Sequence, residues 1–139
     1  MTFDVDHTKL KCGIYKADIT YDLRVIVPYS GTLISNEAMH SIEHILAYKL
    51  NSKINKIYFG PMGCRTGCYL VMFGDLDSED VLNIVLDMCD FIIGFEGEIP
   101  GAKPEECGNY SEQNLNMAKY YITRYKKDLT EKRNLKYGS

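Results

Sequence analysis

No stretch of this 139-residue chain approaches the run of about 18 apolar residues that a membrane span requires. The segment Met1 to His7 also lacks the basic-then-apolar pattern of an export signal. Neither a membrane protein nor an exported one is expected, and the cytoplasm is the expected compartment. Beyond a polar carboxy-terminal stretch (Lys126, Lys127, Lys132, Arg133, Lys136), no block of Lys or Arg stands out, and the net charge is -3. Nucleic acid, which is held by neutralising phosphates, is therefore not an expected partner. Internal repeats and low-complexity tracts are absent as well. Histidine is scarce, with three in the chain, and the five cysteines (Cys12, Cys64, Cys68, Cys89, Cys107) cannot all pair. In a reducing compartment they stay thiols, so some are available as ligands or as a reactive group.

A hydrophobic content of 45% supports one domain over 1–139, with 128–139 read as a polar tail, and its core needs no metal or disulfide to hold it. Periodicity is mixed. Alternating stretches at Cys12 to Ala17 and Ile19 to Val27 predict strands paired as a hairpin through Asp18. Lys56 to Phe59 and Cys68 to Phe73 predict a second pair, separated by the turn-rich G-P-M-G-C-R-T-G segment at Gly60 to Gly67. Helical spacing marks Asn36 to Leu50, with Ser35 or Asn36 as cap, then Val81 to Ile93, ended by Gly94 and Gly97, and Ser111 to Leu129. Strand pairs mixed with helices predict an α+β two-layer sandwich, an antiparallel sheet with helices packed on one face.

Two of the three histidines fall in one pentad, H-S-I-E-H at His40 to His44. Residues four apart on a helix are neighbours, so both imidazoles can face one divalent cation, with Glu43 beside its open side to move protons. A surface or core role for such a pair is the bland alternative. The scarcity of histidine and the flanking apolar stripe (Ile42, Ile45, Leu46, Leu50) count against it. A catalytic metal commonly takes three protein ligands; the third candidates are Cys64, Cys68, Cys107, Glu105 and Glu106, and spacing does not choose among them. A closed His2Cys2 structural site and the inverted zinc-protease motif, H-x-x-E-H, also fit the pattern. Cys68 and Cys89 fall on apolar faces and read as core residues, and Cys12 is given no chemical role.

The combination of H-S-I-E-H, G-P-M-G-C-R-T-G-C-Y-L-V and E-C-G-N, in that order and with D-H at Asp6-His7, C-G at Cys12-Gly13 and D-L-R at Asp22 to Arg24, resembles the S-ribosylhomocysteine lyase (LuxS) family over nearly the full chain. The resemblance implies a metal site of His40, His44 and Cys107 holding one ferrous ion per subunit, replaceable by zinc or cobalt. It implies Cys64 and Glu43 as the two acid/base groups, and His7, Arg24 and Thr2 at the substrate. The implied assembly is a homodimer with active sites at the interface and His7 reaching across it. The implied reaction cleaves the thioether of S-ribosylhomocysteine to homocysteine and a dihydroxy-pentanedione, the precursor of the quorum-sensing signal autoinducer-2. A free thiol is a poor base at neutral pH, and the metal, Arg65 or Arg24 could lower its pKa; Arg24 matches the family's active-site arginine.

Three positions depart from the family. The segment between His7 and Cys12 is short, Thr2 stands where a serine is common, and Tyr58 stands where an acid often holds the amino end of homocysteine. A divergent metal-dependent hydrolase or peptidase, and a metal-stabilised binding module without turnover, are the alternatives.

Overall fold

The computed structural model describes residues 7–17, 19–51, 56–74, 76–132 and 135–136. Asp18 and Thr2 lie outside the described residues, as do Asp6 and Arg133. After a single 3-10 turn at His7–Lys9, strands β1 (Gly13–Ala17) and β2 (Thr20–Arg24) run antiparallel with Ala17 opposite Thr20. Helix α1 (Asn36–Leu50) crosses to β3 (Lys56–Pro61), which turns back into β4 (Gly67–Met72). Helices α2 (Ser78–Ile93) and α3 (Leu115–Lys132) follow. Four strands are antiparallel in the order β3-β4-β2-β1, giving the α+β arrangement expected from the mixed periodicity. A short fifth strand, β5 (Leu135–Lys136), adds parallel to β1. Among the described residues, no helix is long and apolar enough to cross a membrane.

The helices start where capping chemistry permits. Ser35 has an extended backbone, and its hydroxyl accepts the Ala38 amide at 3.2 Å, satisfying one of the donors left open at a helix start. Asp77 does the same for α2 through the Asp80 amide, and Gly94 ends that helix. Helix α3 begins at Leu115, its first apolar residue, four residues later than the expected start at Ser111. Asn114 accepts the Met117 amide at 3.0 Å and so acts as its cap, leaving 111–114 as a turn. Residues 128–132, expected in a polar tail, instead complete α3, with Leu129 buried because it lies one turn beyond Tyr125 on the inner face.

One face of the sheet and the three helices enclose a continuous core. Ile14, Tyr21, Leu23, Leu70 and Met72 meet Ile42, Ile45, Val85, Met88, Ile122 and Tyr125 there. Strand β2 is buried along its whole length, so its alternate residues Thr20, Asp22 and Arg24 are enclosed on the face away from that core. A buried ion pair is thereby built into the middle of the sheet. At Gly67, opposite Arg24, the backbone comes so near the Leu23 carbonyl that a Cβ would collide with it.

Helix α3 is tied to the sheet by the buried Tyr125 hydroxyl, which donates to the Gly13 carbonyl at 2.8 Å, 112 residues away in sequence. Tyr125→Phe should lower stability by about 1 kcal/mol. Urea unfolding checks this: the midpoint should fall while the slope stays that of the parent.

Candidate metal centre

Helix α1 presents His40 and His44 one turn apart on the face opposite its deepest core contacts, both half-buried. Each imidazole is oriented by a backbone carbonyl. His40 Nδ1 lies 2.7 Å from the Glu112 carbonyl and His44 Nδ1 lies 2.8 Å from the Pro100 carbonyl. A carbonyl only accepts, so each Nδ1 carries the proton and each Nε2 is left with its lone pair. The two Nε2 atoms then point at one another across 2.9 Å. The rings cross at 75° with centroids 4.5 Å apart.

Cys107 arrives from the connection between α2 and α3. Its amide donates to the Lys103 carbonyl at 2.9 Å, and its Sγ lies 3.4 Å from His40 Nε2 and accepts the Asn109 amide at 3.5 Å. The three ligand atoms lie within 4.8 Å of one another. Two lone pairs facing each other with no donor between them repel. A divalent cation turns that repulsion into attraction, and the set of two imidazole nitrogens and a thiolate suits iron, cobalt or zinc. Carbonyls on both Nδ1 atoms are the usual outer partners of metal-bound histidine. The residues therefore fit a metal ion, with room for a non-protein fourth ligand. Among the described residues, Cys64, Cys68, Glu105 and Glu106 do not join this group.

Glu43, one position before His44, is half-buried and its carboxylate has no hydrogen-bond partner among the described residues. It lines a cleft of about 290 Å³ with Met39, His40, Met62 and Glu112. It also lines one of about 520 Å³ with His44, Tyr48, Gly101 and Glu106. A carboxylate so placed is free to exchange a proton with whatever occupies either cleft.

Cys64 sits on the β3–β4 connection, exposed, in a different pocket of about 340 Å³ that it shares with His7, Pro28, Tyr29, Leu33 and Thr66. Its Sγ is 3.1 Å from Thr66 Oγ1 and 3.8 Å from Arg24 Nη1. Arg24 Nη1 also donates to Thr66 Oγ1 at 2.6 Å, and its Nη2 pairs with Asp22 Oδ2 at 2.6 Å. Partial burial pushes the Cys64 thiol up, but hydrogen bonds from the Thr66 side chain and backbone and the Arg24 charge outweigh it, holding Cys64 below the ordinary cysteine value. Burial raises Asp22, with Arg24 pulling the other way.

The other thiols differ. Cys68 and Cys89 are buried and pushed up to about 12 by burial. Cys12 donates to the Val25 carbonyl at 3.1 Å and is raised to about 11, mainly by burial.

His40, His44 and Cys107 are thus brought together, with Glu43 beside them. Cys64 and His7 share a pocket of their own, and Arg24, only 2% exposed, reaches Cys64 from beneath the surface. Thr66, Asp22 and the two orienting carbonyls escaped sequence reasoning. The D-L-R alternation, which places Asp22 and Arg24 on one strand face, was the available signal for the ion pair; the carbonyls leave none.

A model of the S-ribosylhomocysteinase (LuxS) family matches residues 1–136. The chain belongs to that family. An S-ribosylhomocysteine lyase of Borreliella burgdorferi is 44% identical over 151 aligned positions, covering 98% of this chain and 96% of its own length. One from Finegoldia magna is 42% identical over 135, covering 89% and 86%, and one from Phocaeicola vulgatus is 40% identical over 143, covering 94% and 89%.

Gly101 follows the carbonyl that orients His44. Its φ is +73°, and a Cβ there would lie 2.9 Å from His44 Nδ1. In this LuxS-family chain, Gly101→Ala should displace the imidazole and weaken metal retention by roughly tenfold or more. Competition against a chelator measures it, with the fold checked by circular dichroism.

Proposed function

We infer that this chain is a metal-dependent carbon-sulfur lyase that cleaves S-ribosylhomocysteine to homocysteine and the dihydroxy-pentanedione precursor of autoinducer-2. The observation that carries the reading is the division of labour among polar groups. Two imidazoles and one thiol converge on a single point, while Glu43 and Cys64 remain outside that shell, free to move protons. A closed structural site of the His2Cys2 kind would have drawn Cys64 in. A peptidase of the H-x-x-E-H type has no evident use for a thiol held below its ordinary pKa in a second pocket.

Expelling a thiolate from C5 of the ribose requires an acidic proton at C4. The sugar carbonyl must therefore first migrate from C1 to C3. His40, His44 and Cys107 would hold the ion, ferrous iron with zinc or cobalt able to replace it; when bound, it supplies Lewis acidity toward the sugar oxygens. Cys64 takes and returns protons in the early carbonyl shift, its thiolate favoured by Thr66 and Arg24. Glu43 serves the later transfer and removes the C4 proton in the elimination, which releases homocysteine. His7 lines the Cys64 pocket and is assigned to the substrate, as is Thr2; Arg24 acts from below through Cys64.

The working form is proposed to be a cytoplasmic homodimer built from one domain per chain. Support for the pairing comes from the outer wall of the Cys64 pocket, where Tyr29 and Leu33 are exposed apolar side chains suited to cover by a second copy.

Thiol release from S-ribosylhomocysteine by anaerobically prepared, iron-loaded protein tests the reading. Homocysteine should form, and Cys64→Ala should lower the rate by at least roughly a hundredfold while the protein keeps its metal. A metal-loaded parent that releases no thiol would sink the assignment.

A further inference from the structure

We propose that Thr66 is a positioning residue for Cys64, its hydroxyl converting the charge of a buried Asp22–Arg24 pair into a hydrogen bond donated to the Cys64 thiolate. Three contacts give the direction of that bond. Arg24 Nη1 donates to Thr66 Oγ1 at 2.6 Å, so the guanidinium occupies an acceptor site of the hydroxyl and polarises it. A thiolate can only accept, so toward an ionised Cys64 Sγ, 3.1 Å away, the hydroxyl is the donor. The guanidinium itself stands farther from the sulfur, at 3.8 Å, so Thr66 is the nearer contact.

The ion pair beneath is arranged to leave Arg24 available. A bidentate pairing would commit both arms of the fork to the carboxylate. Here one arm meets Asp22 Oδ2 and the other goes to Thr66, leaving Asp22 Oδ1 and Arg24 Nε buried without hydrogen-bond partners among the described residues. Asp22 thus fixes the plane of the guanidinium without consuming it. The backbone of Thr66 is held independently of its side chain, since its carbonyl accepts the Val25 and Ile26 amides at 3.0 and 2.9 Å. Other charged or titratable groups facing Cys64 are Tyr69 on β4, which couples to it electrostatically, and His7 across the pocket. Arg65 is its neighbour in the chain.

The proposal deepens the reading of Cys64 as a proton carrier and rests on it for its catalytic meaning, but its test needs no turnover. Metal-loaded full-length protein is alkylated with iodoacetamide over a range of pH, and modification of Cys64 is followed by mass spectrometry of its peptide. Thr66→Val and Thr66→Ala should move the alkylation midpoint to higher pH and lower the rate near neutral pH roughly tenfold. Thr66→Ser, which restores the hydroxyl, should keep the parent's profile. An unshifted profile in the valine and alanine variants, or a serine variant that behaves like them, overturns the proposal. If the parent releases no homocysteine yet the profiles shift as described, the lyase reading fails and the Thr66 relay stands.

Discussion

The two imidazoles of the candidate metal centre depend on hydrogen bonds made on their far sides, to backbone carbonyls of a single loop. The connection between α2 and α3, residues 94–114, contains no strand and no helix, yet it supplies one ligand and orients the other two. The Pro100 and Glu112 carbonyls from this connection fix His44 and His40, and Cys107 lies between them in sequence. The loop and the helix therefore define each other. Further along the same turn, the buried Ser41 hydroxyl donates to Gln113 Oε1 at 2.8 Å and accepts the Asn114 amide at 2.9 Å, locking the loop's exit to α1. A metal bound there would be held by elements distant in sequence, so its binding energy would also favour the folded chain over the unfolded one.

A second constraint lies on the other side of the sheet. Burying Asp22 and Arg24 in β2 is costly unless their charges are paired and hydrogen-bonded, and the pairing achieved is incomplete. Stability alone would favour apolar residues at both positions. An ion pair retained at the centre of a sheet, with one arm of its arginine turned toward a thiol, is better understood through what it does to that thiol. Cys68, four residues after Cys64 and buried among apolar side chains, shows the contrast. The same functional group is pushed up to about 12 there, mainly by burial. Chain position fixes little about a cysteine; its immediate donors and charges fix most of it.

How much of this was legible in the sequence follows from the range of each interaction. The α1 stripe and the His40/His44 spacing are local patterns, legible because helix geometry alone puts those side chains together, and of the two candidate caps, Ser35 and Asn36, the structure uses Ser35. The two antiparallel strand pairs were visible for the same reason. The start of α3 is expected at Ser111 but falls at Leu115, because 111–114 are all polar and the Asn114 side chain, accepting the Met117 amide, caps the helix there. Spacing could not select Cys107 over Cys64 or Glu106, since the choice depends on a loop whose path is set by backbone carbonyls. Only the family's motif pattern named it. The Thr66 hydroxyl was hidden inside a motif that had been read for its glycines and its cysteine.

The β3–β4 connection is one short segment that borders two separate pockets. Pro61, Met62, Gly63 and Arg65 line the cleft that contains Glu43 and His40, whereas Cys64 and Thr66 line the pocket that contains His7. The turn separates Glu43 from Cys64. Arg65 adopts a left-handed φ of +60°, which redirects the chain between its two neighbours, and the tightness of the return at Gly67 leaves no room for a side chain there. A carbonyl that must migrate along a sugar needs protons delivered at successive carbons by groups that do not compete for the same position. On the proposed reading, one sugar served by both Glu43 and Cys64 would have to lie along this turn, since each group opens onto a different side of it.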